Sequence, residues 1–417
     1  MDSHTLAIVA TTALAAYLAL VRALRWRKYN AIHRKYARKF RQRSLTPAEA
    51  QEVVQLGLGH DMPYIMIQAL SFALFKTYGI PSISKLLLAT KEISTKDNVS
   101  RRIADTGLMI GSWTSCPING RYPSVKGSAP CDPRAMISVA RMNWIHSKYH
   151  ISNDDFLYTL ALFLFEPLTW AENYGWRPCS ELEKYSWFVY WTEIGKRMNI
   201  TDIPPTFEEL REWSLEYEEQ YMKPASSNYE VARHTTDELL FYLPKAFGIK
   251  DFARRMMICM LGDRVREAML ADPQPWYVHA VLRGVLRTTA FVQKHLLLPR
   301  WKMESLATLE LPPVEPGTGK IARTHPHWYQ PRPWYRPEPK NILEALTVRV
   351  SLWAGLYEQP PGPRWKSEGY YLDEMGPPKF EKEGQSEVMR QAERMLGCPI
   401  PREWVRDEGE KEGANGR

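Results

Sequence analysis

The first apolar block of the chain is unbroken: Leu6 to Leu24 reads LAIVATTALAAYLALVRAL, with Arg22 its one charge. As a helix this block rises about 28 Å, close to the roughly 30 Å of a bilayer core. Arg22 lies near its end, where a long stem can snorkel. Beyond it the apolar positions recur at helical spacing, interrupted by turn residues. Leu45-Thr46-Pro47-Ala48-Glu49 predicts a helix start with Thr46 as N-cap, Pro47 at N1 and Glu49 closing a capping box. Helices are expected over 62–78, ended by Gly79-Ile80-Pro81, then over 83–89 and 101–110. A Gly/Ser/Pro-rich loop is expected over 111–133. Further helices are expected over 135–150, 153–172 and from Ser180, with Glu183 at capping-box spacing, to about Met198. The remaining periodic segments are 206–222, 229–243, 250–261, 264–270 and 275–298. No run alternates as strands do and no unit of 20–50 residues repeats, so the expected class is all-α: a helical bundle behind one N-terminal transmembrane helix.

Charge sharpens the first element. The net charge is +8, yet Arg22 to Arg43 alone carries ten basic residues and no acidic one, leaving about −2 for everything else. The basic excess is a juxtamembrane stripe rather than a nucleic-acid surface. The positive-inside rule puts Arg25 onward in the cytosol. A cleaved signal peptide is the rival reading. Its basic residues should precede the apolar run, whereas here they follow it, behind Asp2 and His4. The five cysteines are odd in number and form no Cys-x-x-Cys pair, as expected of free thiols in a reducing compartment. From Arg300 onward, prolines from Pro312 to Pro339 alternate with Trp and Tyr. This stretch is expected to wrap the body or rest on the membrane, with parts of it, and 405–417, frayed. The resulting division is 1–25 anchor, 26–44 basic segment, 45–299 helical body and 300–417 extension.

No Gly-rich phosphate loop, G-x-S-x-G or HExxH is present, so nucleotide-dependent and serine-hydrolase chemistry are poorly supported. Among the ten histidines the most suggestive is His146 in Arg141-Met-Asn-Trp-Ile-His-Ser-Lys-Tyr149. A helical imidazole facing apolar walls suits an axial haem ligand, although a hydrogen-bonded core histidine has the same signature. His150 four residues later offers a second reading, a non-haem metal site completed by Asp154 or Asp155. Arg102, Asp105 and Thr106, at i, i+3 and i+4, would share one helical face. They form either a functional trio, with Arg102 fixing the carboxylate, or a local ion pair beside a core threonine.

Several strings resemble a known family. Phe72-Ala-Leu-Phe-Lys-Thr-Tyr-Gly-Ile-Pro-Ser-Ile-Ser84, Arg102-Ile-Ala-Asp-Thr106, Arg141 to Tyr149, Leu157 to Phe163, Met260 to Leu270 and the tail residues Gly369-Tyr-Tyr, Gly376-Pro and Phe380-Glu are similar, in order and spacing, to the membrane-bound oxygenases of mycophenolic-acid biosynthesis. That family also holds the latex-clearing rubber oxygenases, at weaker similarity. The resemblance implies a globin-like helical core around haem b, with His146 as the iron ligand and Arg102, Asp105 and Thr106 on the distal side. It implies an endoplasmic-reticulum membrane protein of secondary metabolism that uses O2 to cleave an isoprenoid C=C bond, on a substrate such as a farnesyl chain borne by an aromatic core. One departure stands out: Asp105 occupies the position of the rubber oxygenases' distal lysine.

Two other functions use the same features. A non-catalytic lipid- or prenyl-binding protein would keep the apolar pocket but carry no iron. A membrane-tethered interaction protein would work through the proline-rich tail. The anchor favours the oxygenase or the binder, because prenyl and terpenoid chains partition into membrane lipid.

Overall fold

The structure is a computed structural model, and it describes residues 2–93, 96–122, 131–243, 246–327 and 332–406. Among these residues the fold is all helical, with two isolated bridges, Val314 to Ile321 and Thr324 to Tyr370, and no strand. The helices are α1 (Ser3–Arg25), α2 (Arg27–Arg41), α3 (Pro47–Gln55), α4 (Pro63–Thr77), α5 (Pro81–Ala89), α6 (Lys96–Ser115), α7 (Arg134–His146) and α8 (Asn153–Tyr174). They continue as α9 (Glu181–Arg197), α10 (Phe207–Tyr221), α11 (Ser226–Leu239), α12 (Ile249–Met260), α13 (Asp263–Ala268), α14 (Trp276–His295), α15 (Ile342–Trp353) and α16 (Gln385–Leu396). The expected frayed end beyond Arg406 lies outside the described residues.

The local signals explain the boundaries. Thr46 and Glu49 form the expected capping box on α3, and Ser180 and Glu183 form one on α9. Each satisfies two helix-terminal N–H groups that would otherwise lack partners. The central layer is α8, almost wholly buried along its length, packed on α4, with α3 against α9 and α7 between α6 and α16. Phe163 of α8 stacks on Trp191 of α9 with centroids 5.1 Å apart and planes within 5°. α4, α8 and α10 are tied by Lys76, whose ammonium lies 3.1 Å from Glu166 and 2.7 Å from Glu218. The apolar helix α1 stands apart: of its residues only Val21 and Arg25 are buried.

Several elements differ from expectation: α6 begins at Lys96 rather than 101, and α11 is Ser226–Leu239 rather than 229–243. α6 runs on through Gly111 to Ser115 instead of giving way to a loop. Gln51 and Gln55 of α3 donate to the carbonyls of Trp113, Cys116 and Thr114, supplying partners for the helix end. The bare Gly111 also lets the backbone of Ala307 approach to 3.1 Å of where a Cβ would stand. α7 stops at His146 rather than His150, because the chain turns at Ser147 to Tyr149. The extension does wrap the body, and it contains α15 and α16, which the proline content obscured. Arg134 donates to the carbonyls of Thr308, Leu309 and Glu310, and Arg141 to those of Met375, Phe380 and Glu383.

A π-helical turn over Leu56–Asp61 joins α3 to α4. It carries His60, whose Nδ1 is 2.9 Å from the Lys28 ammonium of α2. Burial first, and the Lys28 charge second, push the His60 pKa down to about 4. The folded state therefore binds the His60 proton less readily than the unfolded chain does, and stability falls as pH drops from about 6.5 towards 4. The expected loss is on the order of 2 kcal/mol between pH 7 and 4.5. Thermal melts of the detergent-solubilised chain should show this slope, and His60→Gln should reduce it; an unchanged slope in that variant would assign the acid sensitivity elsewhere.

Candidate functional site

The site is built where α6 passes the C-terminal end of α7. His146 is the last residue of α7, and its ring lies 5.3 Å from that of Phe156, near the start of α8. Its Nδ1 is buried and has no hydrogen-bond partner. Burial, then the charge of Arg102, push its pKa down to about 4. At neutral pH the ring is neutral, with a lone pair available in an apolar setting, which is the state an imidazole must be in to bind iron. By this criterion His146 fits a haem ligand.

The charge of Arg102 acts on two neighbours, His146 and the half-buried Tyr78 at the end of α4. Helical geometry puts Thr106 one turn along the same stripe of α6. Asp105 goes elsewhere. One of its oxygens accepts from the Tyr335 hydroxyl at 2.6 Å, and the other accepts from the Gly376 N–H at 3.0 Å. Its cationic neighbour is Arg101, with Nε 3.6 Å away, and Arg101 also reaches Glu381. The expected pairing of Arg102 with Asp105 is thus replaced by Arg101 with Asp105, because the i, i+4 step leans Asp105 towards the C-terminal extension. Burial raises the Asp105 pKa, against the opposing pull of Arg101, Tyr335 and the Gly376 N–H.

The non-haem alternative is not assembled. His150 is exposed beyond the end of α7, so the i, i+4 relation to His146 is lost. Asp155 is buried and accepts from Ser82 at 2.8 Å and Tyr217 at 2.9 Å. Among the described residues no three His, Cys, Asp or Glu side chains gather as a metal site would require. A hollow of about 420 Å³ at the start of α12, lined by Phe247, Ile249, Phe252 and Arg255 among others, contains none of the candidate residues.

Sequence reasoning missed three participants. Tyr78 lies inside the FALFKTYGIP string, where its position three residues before Pro81 was the available signal. Arg101 is masked by its neighbour Arg102. Tyr335 is 230 residues from Asp105 and no local pattern announces it.

Comparison with known proteins bears on this geometry. Residues 124–291 match the family described as ER-bound oxygenase mpaB/B'/Rubber oxygenase, catalytic domain. The chain is 31% identical over 399 residues to the ER-bound oxygenase mpaB' of Penicillium brevicompactum, covering 90% of this chain and 89% of that one. It is 34% identical over 275 residues to the ER-bound oxygenase mpaB of Penicillium roqueforti, covering 62% of this chain and 88% of that one. An all-helical body behind an apolar N-terminal helix, matched to mpaB' over 90% of its length, belongs to the ER-bound oxygenase mpaB/B' and rubber oxygenase family and is an oxygenase.

Proposed function

We propose that this chain is a haem-dependent oxygenase of the endoplasmic-reticulum membrane that cleaves a C=C bond in a prenyl or terpenoid chain with O2. The observation that carries the haem assignment is the neutral His146, with its buried Nδ1 unpartnered and Arg102 beside it. His146 would hold the iron of haem b, and Phe156 would pack its ring. The bound haem would supply the redox chemistry that lets O2 attack an unactivated double bond.

The chain's own residues would do the rest. Arg102 offers guanidinium donors on the side of α6 nearest His146, and Thr106 a hydroxyl one turn on. Asp105 acts as a positioning residue. By gripping Tyr335 and Gly376 it fixes the α6 register that presents Arg102 and Thr106. The apolar side chains of α4, α7 and α8 exclude water from the surroundings of the site. The non-catalytic binder is disfavoured by membership in an oxygenase family.

Absorption spectroscopy of the full chain purified from haem-replete cells tests the assignment. A Soret band, and O2 uptake that depends on a prenylated aromatic substrate, are the expected results. Absence of the Soret band from folded, active protein would overturn haem dependence. O2 uptake with no carbonyl product would overturn the cleavage reaction while leaving an oxygenase.

The helix Ser3–Arg41 carries a window of mean hydropathy 1.9, and we assign its apolar part as the membrane span. With the basic stripe behind it, the body lies in the cytosol. An N-glycosylation acceptor inserted after Arg43 should therefore stay unmodified in cells. Efficient, endoglycosidase-sensitive modification there would reverse the topology.

A further inference from the structure

The anchor does not stand free of the body. The Tyr17 hydroxyl donates to the Leu296 carbonyl at 2.7 Å. The Arg25 guanidinium donates to the carbonyls of Gln293 at 2.5 Å, Lys294 at 3.3 Å and Leu297. All four carbonyls belong to the C-terminal turn of α14 and the residues just after it. These are the groups a helix end leaves without intrahelical partners. In water they would hydrate freely; in hydrocarbon or at its edge they require protein donors.

Their position along α1 sets a depth. Tyr17 precedes Leu24, the end of the apolar block, by seven residues, or roughly 10 Å of helix. The end of α14 is held between Tyr17 and Arg25, alongside the part of α1 that lies in the cytosolic leaflet. This placement rests on the reading of α1 as a membrane span.

The surface of α14 agrees with that depth. Only Val278 and Leu282 are buried. Val281, Val285 and Phe291 are exposed, as are Leu297, Leu298 and Trp301 just beyond the helix. Arg283, Arg287 and Lys294 form a separate stripe at i, i+4 and i+11, and the helix contains no acidic residue. An apolar face edged by cations, with no acids, is the pattern of a helix lying at an anionic lipid surface. α15 exposes still more apolar surface, including Ile342 and Trp353.

We infer that α14 and the leucine turn after it form a second membrane-inserted element, seated in the acyl and headgroup region of the cytosolic leaflet beside α1. The enzyme is then held by two elements, and its body has a fixed rotation about the anchor. The occupant of the apolar face is lipid.

The test uses the full chain reconstituted into vesicles of phosphatidylcholine and phosphatidylserine. A benzophenone side chain is placed singly at Val285, Phe291 or Leu298, all exposed, so folding is not at stake. Leu14 in α1 serves as the anchor control and the exposed Leu215 of α10 as the soluble control. Photolysis should give lipid adducts at Phe291 and Leu298 several-fold above Leu215 and comparable with Leu14. Adducts at Leu14, with Phe291 and Leu298 at the Leu215 level, would overturn the inference and leave the anchor intact. Adducts at Phe291 and Leu298 without any at Leu14 would support insertion of α14 and overturn the span. Adducts at neither would overturn both.

Discussion

His146→Ala is expected to leave the full chain folded but nearly devoid of haem, with the Soret band reduced to background and O2 uptake lost. The physical reason is that His146 presents a neutral, unpartnered nitrogen inside an apolar setting. Alanine removes the only histidine on α7, and no neighbouring cluster of His, Cys, Asp or Glu ligands replaces it among the described residues. The deletion costs little hydrogen bonding, since the buried Nδ1 makes none, so circular dichroism and melting temperature should stay close to those of the haem-free parent. Exogenous imidazole should restore part of the haem content by occupying the vacated space, an effect a misfolded variant would not show. His150→Ala, at an exposed position past the helix, should change nothing. Full haem stoichiometry with a normal Soret band in His146→Ala would refute the ligand assignment.

Asp105→Ala should act differently: it should destabilise the protein and slow turnover while leaving haem bound. The substitution strands the Tyr335 hydroxyl, the Gly376 N–H and much of the charge compensation of Arg101, all at a buried site. Leaving one partner of a buried charged network uncompensated costs about 3–5 kcal/mol. The C-terminal extension should loosen over α6, visible as faster proteolysis around Tyr335 and Gly376. Turnover should fall about 10²-fold, the size of effect that a displacement of about 1 Å can produce in a site built elsewhere. Asp105→Asn gives the contrast. Its amide can donate to the Tyr335 oxygen and accept from Gly376, so what is lost is the acceptor for the Tyr335 O–H and the charge opposite Arg101. Stability and turnover should recover most of the way. If Asp105→Ala matched the parent in melting, proteolysis and turnover, the positioning role would be wrong. If Asp105→Asn melted like the parent yet turned over as slowly as Asp105→Ala, with an altered pH profile, a proton-transfer role would replace it.

What was legible in the sequence follows the range of the interactions. The apolar N-terminal helix, the two capping boxes and the helical class rest on local patterns, and they were readable. His146 was readable as a candidate because an amphipathic helix and a resembling string coincided there. The end of α7 was not, since nothing in Ser147-Lys-Tyr149 forbids a helix and the turn is imposed by packing. The partner of Asp105 was misread for a related reason. Spacing leaves Arg101 and Arg102 nearly equivalent, and the choice is made by Tyr335 and Gly376, 230 and 271 residues away. In the extension the proline count hid real signals. Asn341 caps α15 with Glu344 three residues on, and Val388, Met389, Ala392 and Leu396 give α16 an apolar face. The π-helical turn had no sequence cue beyond two glycines, Gly57 and Gly59.

The dependence of α6 and α7 on the extension has a consequence for how the protein is made. Arg141, buried in α7, finds its carbonyl partners at Met375, Phe380 and Glu383, the last of them 242 residues later in the chain. At 5–20 residues per second a ribosome needs about 10–50 s to make that distance. For most of that interval the nascent chain holds Arg141 and Asp105 without the groups of the extension that satisfy them. The helices around His146 can collapse on the ribosome, but their charged interior closes only after release. Closure of the site is therefore placed after translation, and a stop codon between Arg141 and Glu383 should yield an incomplete, aggregation-prone chain rather than a smaller enzyme.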